Sequence, residues 1–371
     1  MRILALNPYH AGSHAAFLKG WTKKSRHEFE VLTLSGHHWK WRMRHAGATF
    51  AEQLWAIPQA VDKPFDALWC TSMLDLASFY GLCDDRFRSL PAMVYFHENQ
   101  LTYPTRQEDS RGRDHHFAIT HLTSAAAAIR RSPAGGKPIA WNSDFHRQSF
   151  LSAARKLLKK MPGRQLDHLP DLIEDASLVL PPGVTVNSGK RNPSAADRPL
   201  HILWVARWEH DKDPDAFFAA LKKLKKRGVR FKLSVLGESF EQVPECFDVA
   251  RQRFADEIVR WGFQETRAEY EAALAEADVV VSTARHEFFG IAVVEAVAAG
   301  CFPVLPRRLA YPEVFGDDPR FYYDGTPDGL ATHLMKINPA ELPATEQTKV
   351  ESYGWKRSAE LLDAAMDDLL G

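Results

Sequence analysis

The chain is short of several features that would settle its class at once. Only four cysteines occur in 371 residues, at positions 70, 83, 246 and 301, and no two form a C-x-x-C pair. That argues against a disulfide framework and reads as reduced thiols in a cytoplasmic protein. No apolar run approaches the roughly 18 residues of a membrane span, so no membrane partner is expected. The opening MRILALNPYH has one Arg and a short apolar run that breaks at Asn-Pro, which reads as a first strand and not as a signal peptide. No G-x-G-x-x-G follows that strand, and there is no P-loop. His97-Glu98 begins like a zinc-protease motif, but position 101 is Leu where H-E-x-x-H needs a second His. In HHFAITH, His116 and His121 are not at i,i+4 and no Cys is nearby, so no metal is expected.

Net charge is absent as well, yet its zero value hides an asymmetry. Residues 1–197 carry 25 Lys+Arg against 18 Asp+Glu, and the remainder carries 22 against 29. Twelve of the 16 histidines also lie in the first stretch. Two readings stay open: solvated surfaces of uneven composition, or a first half that meets an anionic partner.

What is present is strand–helix alternation, twice over. Short apolar strands are expected at 2–7, 29–34, 67–70, 92–96, 138–142 and 177–181, with helical periodicity between several of them, as in Ser13–Lys24 and His115–Arg131. The polar stretch VNSGKRNPSAADRP (186–199) reads as a linker. A second series follows at 201–206, 231–237, 258–263, 278–283 and 302–306, and includes the amphipathic DPDAFFAALKKLKKRG. This pattern implies α/β architecture with parallel sheets covered on both faces, in two domains. The expected divisions are 1–187, 198–350, and a closing helix within 351–371 that returns to the first domain. Ligands of open α/β sheets bind at the carboxyl ends of strands, so the strand ends are searched first.

Two constellations fall at such ends. In RHEFFGIAVVEAVAAG (285–300), Glu287 sits on a loop before Gly290, where a helix start offers free N–H groups to an anion, and Glu295 lies inside that helix. Donor hydroxyls of a ligand could satisfy both carboxylates. A plain loop glutamate and a helix glutamate paired with an arginine would also do. In VARWEHDKDP, Arg207 and Lys212 follow the first strand of the second series and could hold a diphosphate, or be ordinary surface charge.

Arg-x4-Lys followed by Glu-x7-Glu with Phe-Gly inside resembles the donor domain of retaining GT-B glycosyltransferases, over roughly residues 200–320. The resemblance implies two Rossmann-like domains facing across a cleft. It implies that Arg207 and Lys212 bind the donor diphosphate, that Glu287 contacts the transferred hexose, and that Phe289, Gly290 and Ile291 supply backbone amides. Glu295 would bind the ribose, and the base would lie near Gly262 and Phe263. In the first half, NPYHAGSH, HHWKWRMR, YFHENQLTYP and WNSDFHRQSF together resemble the tRNA-queuosine mannosyltransferase family, over most of residues 1–150. That family transfers mannose from GDP-mannose to queuosine in tRNA-Asp. By this likeness Gly12, Ser13 and His14 serve the donor, and His97 holds the hexose with Glu287. Lys40, Arg42, Arg44 and Asn99 serve the acceptor, the three basic residues lying among aromatics that suit an RNA loop. The likeness implies no metal and no other cofactor. The sequence departs from wider GT-B patterns in having one glycine, Gly12, after the first strand and Ala206 before Arg207. Other acceptors remain open, such as a glycolipid, for which AAFLKGWTKKSRH is the amphipathic basic candidate, or a small glycoside. A catalytically silent RNA-binding protein is a further alternative.

Overall fold

The computed structural model describes residues 1–55, 63–104, 115–163, 165–186, 198–239, 243–343 and 350–370. Most of the expected linker (187–197) lies outside them, and so do residues 106–114 of RQEDSRGRDHH (106–116), whose three arginines count among the basic residues of the first half. The chain divides into two compact units, Met1–Gly183 with Trp355–Gly371, and Val184–Gly354.

The first unit is built on β1 (Arg2–His10), β2 (Glu28–Ser35), β3 (Ala67–Thr71), β4 (Ala92–Phe96), β5 (Ile139–Trp141) and β6 (Ser177–Val179). They form one parallel sheet in the order β2-β1-β3-β4-β5-β6. β3, β4 and β5 are buried at every position, as expected of strands covered on both faces. Their side chains alternate between two apolar layers. Ile3, Ala5, Trp69 and Tyr95 pack with Phe17, Leu18 and Trp21 of helix Gly12–Lys24. Leu4, Leu68, Val94 and Trp141 pack on the opposite side with Phe50, Phe79, Leu122 and Phe150. The apolar stripe of AAFLKGWTKKSRH is thus spent inside the core, which leaves no exposed amphipathic face there for a lipid surface.

The closing helix Trp355–Asp368 completes the first of these layers with Leu362 and Met366. Trp355 lies so close to Gly20 and Gly183 that a Cβ on either would meet its ring at 2.2–2.3 Å. Buried Asp363 accepts hydrogen bonds from Trp21 Nε1 (2.8 Å), Ser25 Oγ (2.6 Å) and the Arg26 N–H (2.9 Å), which supply the partners a buried carboxylate needs. The turn Glu351–Tyr353 before it belongs to the second unit, where Val184 bridges to Gly354.

The second unit contains β7 (Leu200–Val205), β8 (Phe231–Leu236), β9 (Ile258–Gly262), β10 (Val279–Val281), β11 (Phe302–Pro306) and β12 (Tyr322–Tyr323). Its parallel sheet has the order β12-β11-β10-β7-β8-β9. Helix Pro214–Lys226 starts on Pro and ends on Lys223, Lys225 and Lys226, matching its dipole. Gly237 can only be glycine, since a Cβ would meet the Ala206 carbonyl oxygen at 1.8 Å. That close approach holds the end of β8 against the end of β7, where the first basic residue emerges. β10 is shorter than the expected 278–283, because Ser282 and Thr283 turn away to build the loop described next. β12 was not expected: two residues are too few to show a strand period.

Candidate active site

β7 delivers Arg207, and a 3-10 turn, His210–Lys212, delivers Lys212. Arg207 Nη1 pairs with Glu209 Oε2 at 3.0 Å, with 42% of its side chain exposed. Lys212 is buried. Its Nζ donates to the His286 carbonyl (2.8 Å) and to Glu287 Oε2 (3.2 Å), and lies 3.2 Å from Asp211 Oδ2. Backbone bonds lock the two segments together. Arg285 and His286 N–H both reach the Asp211 carbonyl (2.8 and 3.3 Å), and Thr283 Oγ1 donates to the Lys212 carbonyl at 2.7 Å. Burial opposes ionisation of Glu287, but the adjacent Lys212 ammonium outweighs it, and the carboxyl is held below the usual range. His286 is pushed down to about 4 by burial and by Lys212, so its ring is neutral near pH 7.

Helix Ile291–Ala298 starts on Gly290, whose φ of 90° is left-handed and whose absent Cβ would lie 3.1 Å from Tyr311 Cε1 and 3.7 Å from Glu287 Cγ. Tyr311 is fixed in turn by a 2.6 Å bond to Ser282 Oγ. Phe289 is buried edge-on against Tyr353, and Ile291 is the first helical residue. Glu295 points elsewhere. Its Oε1 lies 2.9 Å from Arg267 Nη2, and its Oε2 accepts from Tyr270 OH at 3.0 Å. In this structure, then, Glu295 has the arginine partner weighed from sequence. A cavity of about 90 Å³ beside it is lined by Thr185, Arg267, Glu271 and Ala299 among others. The structure therefore joins Lys212, Glu287 and Gly290 directly, and sets Glu295 in a neighbouring polar cluster. Gly262 (φ 98°) and Phe263 (60% exposed) end β9, where the Gly262 carbonyl receives Gly237 N–H at 3.3 Å.

In the first unit, Ala11 is extended, Gly12 has φ 49° with open space where a Cβ would be, and Ser13 and His14 begin the helix. His14 is buried, with its ring 4.2 Å from His97 and 5.7 Å from Tyr9. His97 follows β4. Burial, and the neighbouring His14 and His146, hold its pKa well below the usual value, so the imidazole is neutral. Asn99 is fully buried, and its Oδ1 accepts from Leu101 and Thr102 N–H (3.0 and 2.9 Å). Its carbonyl thus shapes its own loop, a role the motif did not announce. On helix Trp39–Trp55, Lys40 is exposed, Arg44 lies 4.6 Å over the Phe117 ring, and Arg42 Nε donates to the Ser35 carbonyl at 3.1 Å. Trp41, 62% exposed and beside the His45 ring, adds an aromatic face to this patch.

Sequence reading missed Arg267, Tyr270, Tyr311 and Asn142. The capping box Thr266-x-x-Glu269 marks the helix start that carries Arg267, but nothing in sequence ties it to Glu295. Among the described residues no group of three or more His, Cys, Asp or Glu is placed to hold a metal ion, and no helix is long and apolar enough to cross a membrane.

Two six-stranded parallel sheets, with a lysine–glutamate pair at the ends of β7 and β10 and a glycine-started helix beside them, define a GT-B glycosyltransferase. Solved structures of the same fold include a sucrose-phosphate synthase from Thermosynechococcus elongatus (TM-score 0.70, 14% identity, covering 100% of this chain and 99% of that one). A glycosyltransferase from Rickettsia africae is also similar (TM-score 0.65, 14% identity, covering 99% and 98%). Residues 188–344 match the family of glycosyl transferases group 1, and residues 2–184 match the tRNA-queuosine alpha-mannosyltransferase N-terminal family. A tRNA-queuosine alpha-mannosyltransferase of Drosophila melanogaster is 33% identical over 323 residues, 84% of this chain and 81% of that protein. A GDP-mannose-dependent phosphatidylinositol dimannoside mannosyltransferase of Mycobacterium tuberculosis is 28% identical over 173 residues, 45% of this chain and 44% of that protein. The chain belongs to the tRNA-queuosine alpha-mannosyltransferase family.

Proposed function

We propose that this glycosyltransferase moves mannose from GDP-mannose to the queuosine of tRNA-Asp, with retention at the anomeric carbon. The observation that carries the reading is the Lys212–Glu287 pair beside Gly290, in a chain whose likeness to a queuosine mannosyltransferase runs through both units. As the leaving diphosphate gains charge, Arg207, Lys212 and the helix start at Gly290 stabilise it electrostatically. Glu287 holds the hexose, Glu295 the ribose, and Gly262 and Phe263 lie toward the base. In the first unit, Gly12, Ser13, His14 and His97 meet donor and sugar hydroxyls. Fixed cations do the work a metal would otherwise do, so no metal is needed. Full activity after a strong chelator is the expected result, and loss restored by Mg²⁺ or Mn²⁺ would overturn this part. The acceptor tRNA is met by the Trp39–Trp55 helix. The decisive experiment is mass spectrometry of tRNA from cells with and without the protein, together with purified protein, GDP-mannose and queuosine-containing tRNA. A hexose added to queuosine only in the presence of the protein is expected. Unchanged queuosine in both arms would sink the proposal.

A further inference from the structure

The phrase WNSDFHRQSF sits where β5 ends, and its polar residues form a chain that leads back to His97. Asn142 directly follows Trp141 and is nearly buried. Its Nδ2 donates to the His97 carbonyl at 2.9 Å, and its Oδ1 lies 2.8 Å from His146 Nδ1. A carbonyl oxygen can only accept, so the amide nitrogen must face His97 and the amide oxygen must face His146. His146 Nδ1 therefore carries the proton. This assignment follows from the bonding pattern alone. His146 is itself fixed on two sides. Its backbone N–H bonds Ser143 Oγ (3.0 Å) at the cap of helix Asp144–Leu158, and its fully buried ring stands edge-on to Trp141 at 5.0 Å. The next carbonyl along, that of Glu98, is held by Ser72 Oγ at 3.1 Å. The segment that carries the His97 ring is thus fastened by two side chains from neighbouring strand ends, Asn142 and Ser72, with His146 holding Asn142 in turn. The ring lies against Phe17, Tyr95 and His14, in a residue that is half-buried as a whole.

We propose that Asn142 and His146 are positioning residues for glycosyl transfer: the His146–Asn142–His97 hydrogen-bond chain fixes the strand end from which the His97 imidazole meets a substrate hydroxyl. This rests on the functional reading above. A packed imidazole that only fills space can be replaced at a cost in stability that the rate follows. A directional donor cannot, because loss of its N–H frees the amide to rotate and present oxygen to the His97 carbonyl.

Three variants and one spectroscopic measurement test it. Asn142→Asp sets an acceptor against that carbonyl, and His146→Leu removes the donor while keeping an apolar side chain. Each is expected to lower kcat about tenfold with KM for GDP-mannose unchanged. His146→Gln, whose amide can still donate, is expected to recover most of the rate. In the protein labelled with ¹⁵N-histidine, NMR is expected to show His146 protonated at Nδ1. Wild-type kcat in Asn142→Asp and His146→Leu would overturn the proposal. So would equal losses in His146→Leu and His146→Gln that track their melting temperatures, or a proton on Nε2 alone. If the wild-type protein transfers no mannose to queuosine tRNA, the functional reading fails, and the NMR result still decides whether the chain of bonds exists.

Discussion

At the scale of single residues, the ammonium of Lys212 has three protons and three acceptors around it: the His286 carbonyl, Glu287 and Asp211. In the proposed reaction a diphosphate would compete with these acceptors for the ammonium, and a carboxylate released from Lys212 could turn to a sugar hydroxyl. Lys212→Met should cost about 2–4 kcal/mol of transition-state stabilisation, read as a fall in kcat/KM for the donor. It should also change how stability depends on pH. With Lys212 present the Glu287 pKa is lowered, so its contribution is complete above the unfolded carboxyl value and is lost as pH falls through the lower folded one. Without Lys212, burial is opposed only by His286 and the Phe289 N–H, so the lowering shrinks and less stability is gained as pH rises through the carboxyl range. The gap in Tm between wild type and variant should widen from pH 4 to pH 7, and a constant gap would contradict the assignment. The two glutamates should separate as well. Glu287→Gln is expected to slow transfer with GDP affinity retained, and Glu295→Gln to weaken GDP itself. Calorimetry with free GDP would reveal the reverse pattern if the roles were exchanged.

At the scale of elements, what was legible in sequence is what local pattern controls. The central strands β3, β4 and β11 begin and end within a residue of their expected limits, because continuous apolar runs bounded by turns leave little choice. Gly290 and Gly300 bracket their helix as expected, both at positive φ. That Lys212 and Glu287 both lie at strand ends of the second series was legible, but that they pair with each other was not. Glu295 to Arg267, or Asn142 to His97, was not legible, since such bonds depend on how neighbouring strands align and leave no trace at fixed spacing. Gly290→Ala tests an element directly. A left-handed φ and a 3.1 Å contact with Tyr311 should cost about 1–3 kcal/mol, read as a lowered Tm together with weaker donor binding. The Trp39–Trp55 helix offers a second test. Arg42 ties the helix to Ser35, so Arg42→Ala should lower stability. Lys40→Ala should instead leave Tm unchanged and flatten the salt dependence of tRNA affinity, by about 0.7 log units per log of salt for each single-strand phosphate that is no longer neutralised. Equal salt slopes for wild type and Lys40→Ala would remove Lys40 from the RNA path.

At the scale of the whole molecule, the first unit is discontinuous in sequence: its sheet comes from residues before Val184 and one of its layers is closed by Trp355–Asp368. Leu362, Met366 and Leu369 are fully or almost fully buried there. Each such side chain contributes roughly 1.5–3 kcal/mol, so together they rival the roughly 5–15 kcal/mol by which a typical domain is stable. During synthesis this order has a cost in time. Most residues of the first unit leave the ribosome before the second unit does, but Phe17, Trp21 and the unmet Gly20 surface wait for residues 355–371, while the second unit is translated in full. A nascent chain halted at Gly354 should therefore carry a protease-sensitive first unit and a resistant second one, with resistance of the first gained only when residues 355–371 emerge. Supplying residues 355–371 as a separate peptide should protect the halted chain, and Asp363→Ala in that peptide should abolish the protection. The first unit is in this sense completed only after the second, so release at Gly354 yields a chain with a closed second unit and an open first one.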